Sequence, residues 1–276
     1  MVGLPAAGKT TYLAALWYLG TAAAPDVAYR VDRLEGDLKY LNAMGRAWLE
    51  CSEVPHTSVS SSESPVLSMV DTATGAATRL NIPDLSGEVF SHAIHSRRWD
   101  PRIAEPANAA DGLLIFVNPG QLREPAWVFE RPTGGQPEGP QPIAWSADLL
   151  PTQVQLVDLL QSVKYLRSGR VCPVAVIVSA WDEVASFYDE PSVWLSERLP
   201  LLDQYLATNA RAFPNKLFGV SAQGGPLPGS EAALLDKKPF ERPFIVEGLA
   251  RSEGAGNSDV ARSAHDLSAP VRWLIP

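Results

Sequence analysis

The chain has 276 residues, 46% of them hydrophobic, and a formal net charge of −8 with no run of Lys or Arg anywhere. That length allows one large α/β domain or a domain with a small annex, and the acidic balance argues against a nucleic-acid backbone or an anionic membrane as the main partner. Cys51 and Cys172 cannot be a disulfide framework for a chain this long, no charged-then-apolar leader opens it, and its apolar runs are too short to cross a bilayer, so a reduced, cytoplasmic protein is expected.

The first stretch with chemical content is "GLPAAGKTT", Gly3 to Thr11. Gly3-x-x-x-x-Gly8-Lys9-Thr10 fits the P-loop pattern in full. Glycines let the backbone turn tightly so that successive N–H groups, including those of Ala6 and Ala7, converge on one anion. The helix expected from Lys9 adds its positive dipole end at the same spot. Lys9 would neutralise charge shared between the β- and γ-phosphates, and Thr10 would place a hydroxyl on Mg2+. Only Met1 and Val2 precede this loop, which normally follows a whole strand. The expectation is an upstream start or an excised fragment, with a very short first strand or a strand completed by a partner as the alternatives.

Leu13, Leu16 and Trp17 then recur at helical spacing and predict a helix with one apolar face, ended by Gly20. "VAYRVDRL" alternates like a strand and "GDLKYLNAMGRAWLE" reads as a helix, followed by a Ser-rich polar loop, "CSEVPHTSVSSSES". "PVLSMVDTATGAATRLNIPD" predicts a hairpin, and "GEVFSHAIHSRRW" a helix. "DGLLIFVN" and "CPVAVIVSAWD" are apolar throughout, as strands buried on both faces are. Between them lie a Pro/Gly-rich surface insertion, 119–150, and the amphipathic helix "TQVQLVDLLQSVKYLRSG". "PSVWLSERLPLLDQYLATNA" reads as one helix and "KLFGVSAQGG" as a strand running into a loop. Residues 226–260 are expected to be an irregular extension before a closing helix, "LSAPVRWLI", with Pro270 in its first turn. The whole is expected to be a single domain over 1–276: a three-layer α/β P-loop NTPase fold, with a mostly parallel sheet, a truncated first strand and one antiparallel hairpin strand.

Three later stretches bear on which nucleotide is held. "LNIPDLSGEVF" ends an apolar strand with Asp84, which could hold Mg2+ through a water, and Gly87, whose N–H could reach a γ-phosphate. Asp182, just past a buried strand in "VIVSAWDEV", could accept both N1–H and N2–H of guanine, a pairing adenine cannot match. Ser221 and Ala222 follow the next strand, where a backbone N–H could meet the guanine O6.

This order of motifs resembles the P-loop GTPases of the translation-factor-related class. "MVGLPAAGKTTYLAALW", "IPDLSGEVF" and "LSAPVRWLI" are more similar still to the double-GTPase-type proteins of bacterial conflict-associated gene clusters. The likeness covers most of residues 1–225 and the last ten. It implies that Gly3–Thr10 are the first GTPase motif, Asp84–Gly87 the third, Ser179–Asp182 the fourth and Ser221–Gln223 the fifth. The second motif is a single Thr, for which the resemblance points to Thr57, with Ser58 and Ser60 to Ser62 as competitors; its hydroxyl would touch Mg2+ and its N–H the γ-phosphate.

Two departures matter. The family's Asn-Lys-x-Asp is here Ser179-Ala180-Trp181-Asp182, so no lysine stem lies over the base and guanine affinity is expected to be lower. Trp181 reads as buried packing. Glu88 stands where many small GTPases carry a water-orienting Gln, which implies slow intrinsic hydrolysis that a partner could raise. Arg97, Arg98 and Arg102 read as a solvated basic end, and His56, His92 and His95 as incidental. The expected function is therefore a Mg2+-dependent GTP/GDP switch, with Lys9, Thr57, Gly87 and Glu88 as its catalytic set and a protein effector or activator as its partner. The alternatives are a nucleotide-bound interaction module that never hydrolyses, or an ATP-dependent P-loop enzyme.

Overall fold

A computed structural model describes residues 1–22, 27–35, 38–52, 66–81, 93, 96, 98–99, 101–125, 149–251 and 264–275. Its central sheet has five strands in the order β1 (Val2–Gly3), β5 (Leu113–Val117), β6 (Val174–Ser179), β7 (Asn215–Ser221) and β8 (Phe244–Arg251). The first four are parallel, with Val2 opposite Ile115, Leu113 opposite Val174, and Val174 opposite Asn215. β8 closes the edge antiparallel to β7, Phe244 facing Ser221. A second, antiparallel sheet holds β2 (Tyr29–Glu35), β3 (Val66–Asp71) and β4 (Ala77–Asn81).

Strand alternation sorts the core into two layers. Leu114, Phe116, Ala175, Ile177, Phe218 and Val220 pack on one face of the sheet with α1 (Lys9–Thr21), α2 (Leu38–Leu49) and α8 (Ala269–Leu274). Leu113, Ile115, Val117, Val174, Val176, Val178 and Leu217 pack on the other with α4 (Thr152–Leu166), α5 (Pro191–Arg198) and α6 (Pro200–Thr208). Every residue of β5, β6 and β7 is buried, as the apolar runs predict. The mostly parallel α/β fold and its short first strand are thus as expected, the strand being two residues long and paired to β5.

Several elements depart from expectation. The helix after the glycine loop has no polar face: from Tyr12 to Gly20 every residue but Tyr18 is buried. Small residues make this possible, since a Cβ on Gly20 would lie 2.6 Å from Val31 Cγ2. The single helix expected after Asp182 is two, because Pro200 opens α6 and Leu199 leaves helical geometry at φ −135°, ψ 57°. The hairpin belongs to the separate sheet and is joined there by β2. The irregular extension at 226–260 contains α7 (Glu231–Leu235) and β8. An unexpected helix, α3 (Pro101–Ala109), carries Pro106 inside it.

Candidate functional site

The site gathers at the carboxyl ends of β1, β5 and β6, with β7 beside them. From Gly3 the chain turns through Ala6, in the left-handed region at φ 54°, and Gly8, at φ 82°, before α1 begins. A Cβ on Gly8 would sit 2.8 Å from both Cβ and Oγ of Ser179, and one on Gly3 would sit 2.9 Å from the Phe116 carbonyl. Both glycines are required by close approach, and Gly8 also by its backbone angle.

Neighbouring strand ends pin the loop. Ser179 Oγ, at the end of β6, lies 2.9 Å from the Ala7 carbonyl and 3.2 Å from that of Val117. Asn118 Nδ2, just past β5, donates to the Ala6 carbonyl at 3.0 Å, while its Oδ1 accepts from Gly120 N–H at 2.9 Å. Ala7 N–H closes a turn onto the Leu4 carbonyl. The loop is thus held through its carbonyls and the Ala7 N–H. α1 has no side chain capping its first turn and no acidic residue in it, so its positive end is left to an anion from outside. Lys9 Nζ donates to the carbonyls of Gly3 at 2.7 Å and Leu4 at 2.9 Å, which holds the ammonium within the loop. Thr10 and Thr11 are half-buried in the first turn of α1.

Three residues after Ser179, Asp182 sits in a short 3-10 turn, Trp181–Glu183, entered through Ala180 in the left-handed region at φ 47°. Trp181 is buried among core side chains, as read from the sequence. A Cβ on Gly219 would lie 2.4 Å from its ring, so β7 must carry glycine there for the indole to fit. Ser221, fully buried at the end of β7, donates its hydroxyl to Asp182 Oδ1 and accepts from Gly224 N–H at 3.1 Å. The carboxylate is thereby fixed against the loop that follows β7, the loop of Ala222.

The structure therefore brings together Gly3, Ala6, Ala7, Gly8, Lys9, Thr10 and Ser179, and it brings Asp182 to Ser221 and Ala222. Ser179 acts on the loop's backbone, its hydroxyl being committed to main-chain carbonyls. Thr57, Asp84, Gly87 and Glu88 lie outside the described residues, as do Ser58 and Ser60 to Ser62. Among the described residues no cluster of three or more His, Cys, Asp or Glu could hold a metal ion. Arg98 is exposed. Cys51 and Cys172 are both free and buried, and burial pushes the Cys172 thiol up, which keeps it an inert core group. Among the described residues no helix is long and apolar enough to cross a membrane.

Asn118 is the contributor that sequence reasoning missed. Its signal was a lone carboxamide placed directly after a buried apolar strand, in "FVNPG".

The model of one family, Double-GTPase 1, matches residues 1–274. No curated protein and no solved structure matches the chain. A complete phosphate loop braced by β5 and β6, an aspartate fixed at the end of β6, and a family match over nearly its whole length lead to one conclusion: the chain belongs to the Double-GTPase 1 family and carries a GTP-binding domain.

Proposed function

We propose that this protein is a Mg2+-dependent guanine-nucleotide switch with slow intrinsic hydrolysis, whose bound nucleotide is read by a protein partner. One observation carries the reading. β6 ends in Ser179, which holds the phosphate loop at Ala7, and three residues on, in the turn that follows, lies Asp182, which Ser221 holds in place. The two ends of a nucleotide site are thus built on one strand terminus.

The chain's own groups have separable tasks. The backbone of the loop and the open end of α1 bind a phosphate chain, and they fit it because no side chain caps that end and no acidic residue lies in its first turn. Lys9 neutralises phosphate charge by exchanging carbonyl partners for anionic oxygens. Asp182 accepts from the purine edge as a charged acceptor, while Ser221 keeps it from rotating away. The Ala222 amide meets O6. Thr10 would hold Mg2+, together with Thr57 and Asp84 by the sequence reading; the ion would supply charge neutralisation between the β- and γ-phosphates. By the sequence reading Gly87 and Glu88 belong to the γ-phosphate and the attacking water, and a carboxylate in place of a water-orienting Gln supports a slow rate.

Calorimetric competition of GTP against ATP tests the purine assignment. The wild-type chain is expected to prefer GTP, and Asp182→Asn to lose roughly a hundredfold of that preference, the worth of a charged bidentate pairing of about 3 kcal/mol. Equal affinity for the two nucleotides in the wild type would refute it. Single-turnover phosphate release, with and without cell extract, tests the rate and the partner.

A further inference from the structure

The loop after β7 is also tied to a helix far away in sequence. Trp48 Nε1 donates to the Ala222 carbonyl at 2.9 Å. Gln223 Nε2 donates back to the Trp48 carbonyl at 3.1 Å, and Arg242 Nη1 donates to the Leu49 carbonyl at 2.8 Å. These two carbonyls belong to the last turn of α2, where helix carbonyls lack partners and a cation is favoured. The Arg242 guanidinium lies 5.7 Å from the Trp48 ring centre, and Trp48, Gln223 and Arg242 are all buried.

Backbone geometry at both ends fits this clasp. α2 ends with Cys51 N–H on the Trp48 carbonyl and Ser52 N–H on the Ala47 carbonyl, a closure that puts Cys51 in the left-handed region usually given to glycine. The side chain kept at that strained position is used: Cys51 Sγ lies 3.4 Å from both Gln223 Nε2 and Arg242 Nη1. On the other side Gly224, at φ 92°, lets the loop lie on Arg242, whose carbonyl would be 2.1 Å from any Cβ there. Residue 222 is thus gripped from two directions, its carbonyl by Trp48 and its neighbour's hydroxyl by Asp182.

We propose that Trp48 and Gln223 are positioning residues for purine selection, holding Ala222 between α2 and Asp182 so that its N–H meets the base. The proposal rests on the guanine-nucleotide reading above. It predicts that breaking the clasp weakens the hold on the base and leaves the hold on the phosphates intact. Phosphates are bound by the loop from Gly3 to Thr10, held by Ser179 and Asn118, through contacts the clasp does not share.

The test titrates the full chain, as Gln223→Leu and separately as Trp48→Phe, with GTP, ATP and inorganic tripolyphosphate, at a temperature where circular dichroism shows each protein folded. Gln223→Leu removes the donor to the Trp48 carbonyl while leaving an apolar side chain and the Trp48 bond to Ala222 in place, so it stands if the tryptophan variant does not fold. Each variant is expected to bind GTP about five- to tenfold more weakly, the fold-change of one lost hydrogen bond, with tripolyphosphate affinity unchanged. Equal weakening toward GTP and tripolyphosphate, or no change toward either, overturns the clasp while leaving the nucleotide assignment standing. A wild type that does not distinguish GTP from ATP overturns both.

Discussion

Gly8→Ala is the sharpest perturbation of the phosphate loop. Two penalties add at that position. Its φ of 82° lies in the left-handed region, which costs an L-residue about 1–2 kcal/mol. The new methyl would also sit 2.8 Å from Ser179 Cβ and Oγ, an overlap of the kind that costs about 1–3 kcal/mol in a packed interior. Together the substitution should destabilise the fold by about 3 kcal/mol. The two parts separate in a double-mutant cycle with Ser179→Gly, which removes both overlapping atoms. On its own Ser179→Gly loses the bond to the Ala7 carbonyl, worth about 1 kcal/mol, and adds chain entropy worth about 0.5–1 kcal/mol. In that background Gly8→Ala should retain only its backbone cost, so the cycle should return a favourable coupling of about 1–3 kcal/mol. Urea unfolding of the four proteins, followed by fluorescence with the slope held common, measures it. A Gly8→Ala protein within 0.5 kcal/mol of wild type, or an equal cost in both backgrounds, would refute the packing argument.

Two further predictions concern the scaffold. Tyr12→Phe keeps the edge contact with Phe116, at 5.2 Å between ring centres, and removes only the hydroxyl that donates to the Leu267 carbonyl at 2.6 Å. Burial and the Asp266 carboxylate push that phenol well above its ordinary value, so it is a donor at every accessible pH, and losing it should cost about 1–3 kcal/mol in urea unfolding. Asp71 receives the N–H groups of Thr74 and Ala73 in the hairpin turn, which hold its carboxyl below its ordinary 3.8. A lowered folded-state value means stability present above about pH 4 and lost as pH falls through that lowered value; Asp71→Asn should flatten the stability profile in this window alone.

What could be read from the residues in order was largely what is built locally. The phosphate loop is one continuous stretch whose residue pattern can be read in order, although the contacts that require its glycines come from Phe116 and Ser179 on neighbouring strands. β5 and β6 announce themselves because burial on both faces requires unbroken apolar runs. The failures have physical causes as well. Pro200 was visible, but the apolar spacing on either side of it runs straight through, and its ring and missing N–H, which push Leu199 out of helical geometry, end the helix. β8 reads "FIVEGLAR", an edge strand whose Glu247 is there to pair with Lys216 at 2.7 Å across the ladder, a partner 31 residues away. α3 is obscured by Pro106, and it is held instead from outside: Arg167 Nη1 donates to the carbonyls of Ala107 and Asn108, and also to that of Ala110. The clasp of Trp48 on Ala222 spans 174 residues and leaves no local mark at all.

α1 has almost no water-facing side, and that settles where motion can occur. A rod wedged between the five-stranded sheet and α2 cannot tilt without opening voids, and tightly filled interiors resist that. Gly3 to Thr10 therefore form a stationary seat. In the proposed switch, any difference between the triphosphate-bound and diphosphate-bound protein would be displayed by parts of the chain mounted elsewhere, with α1 as their fixed post.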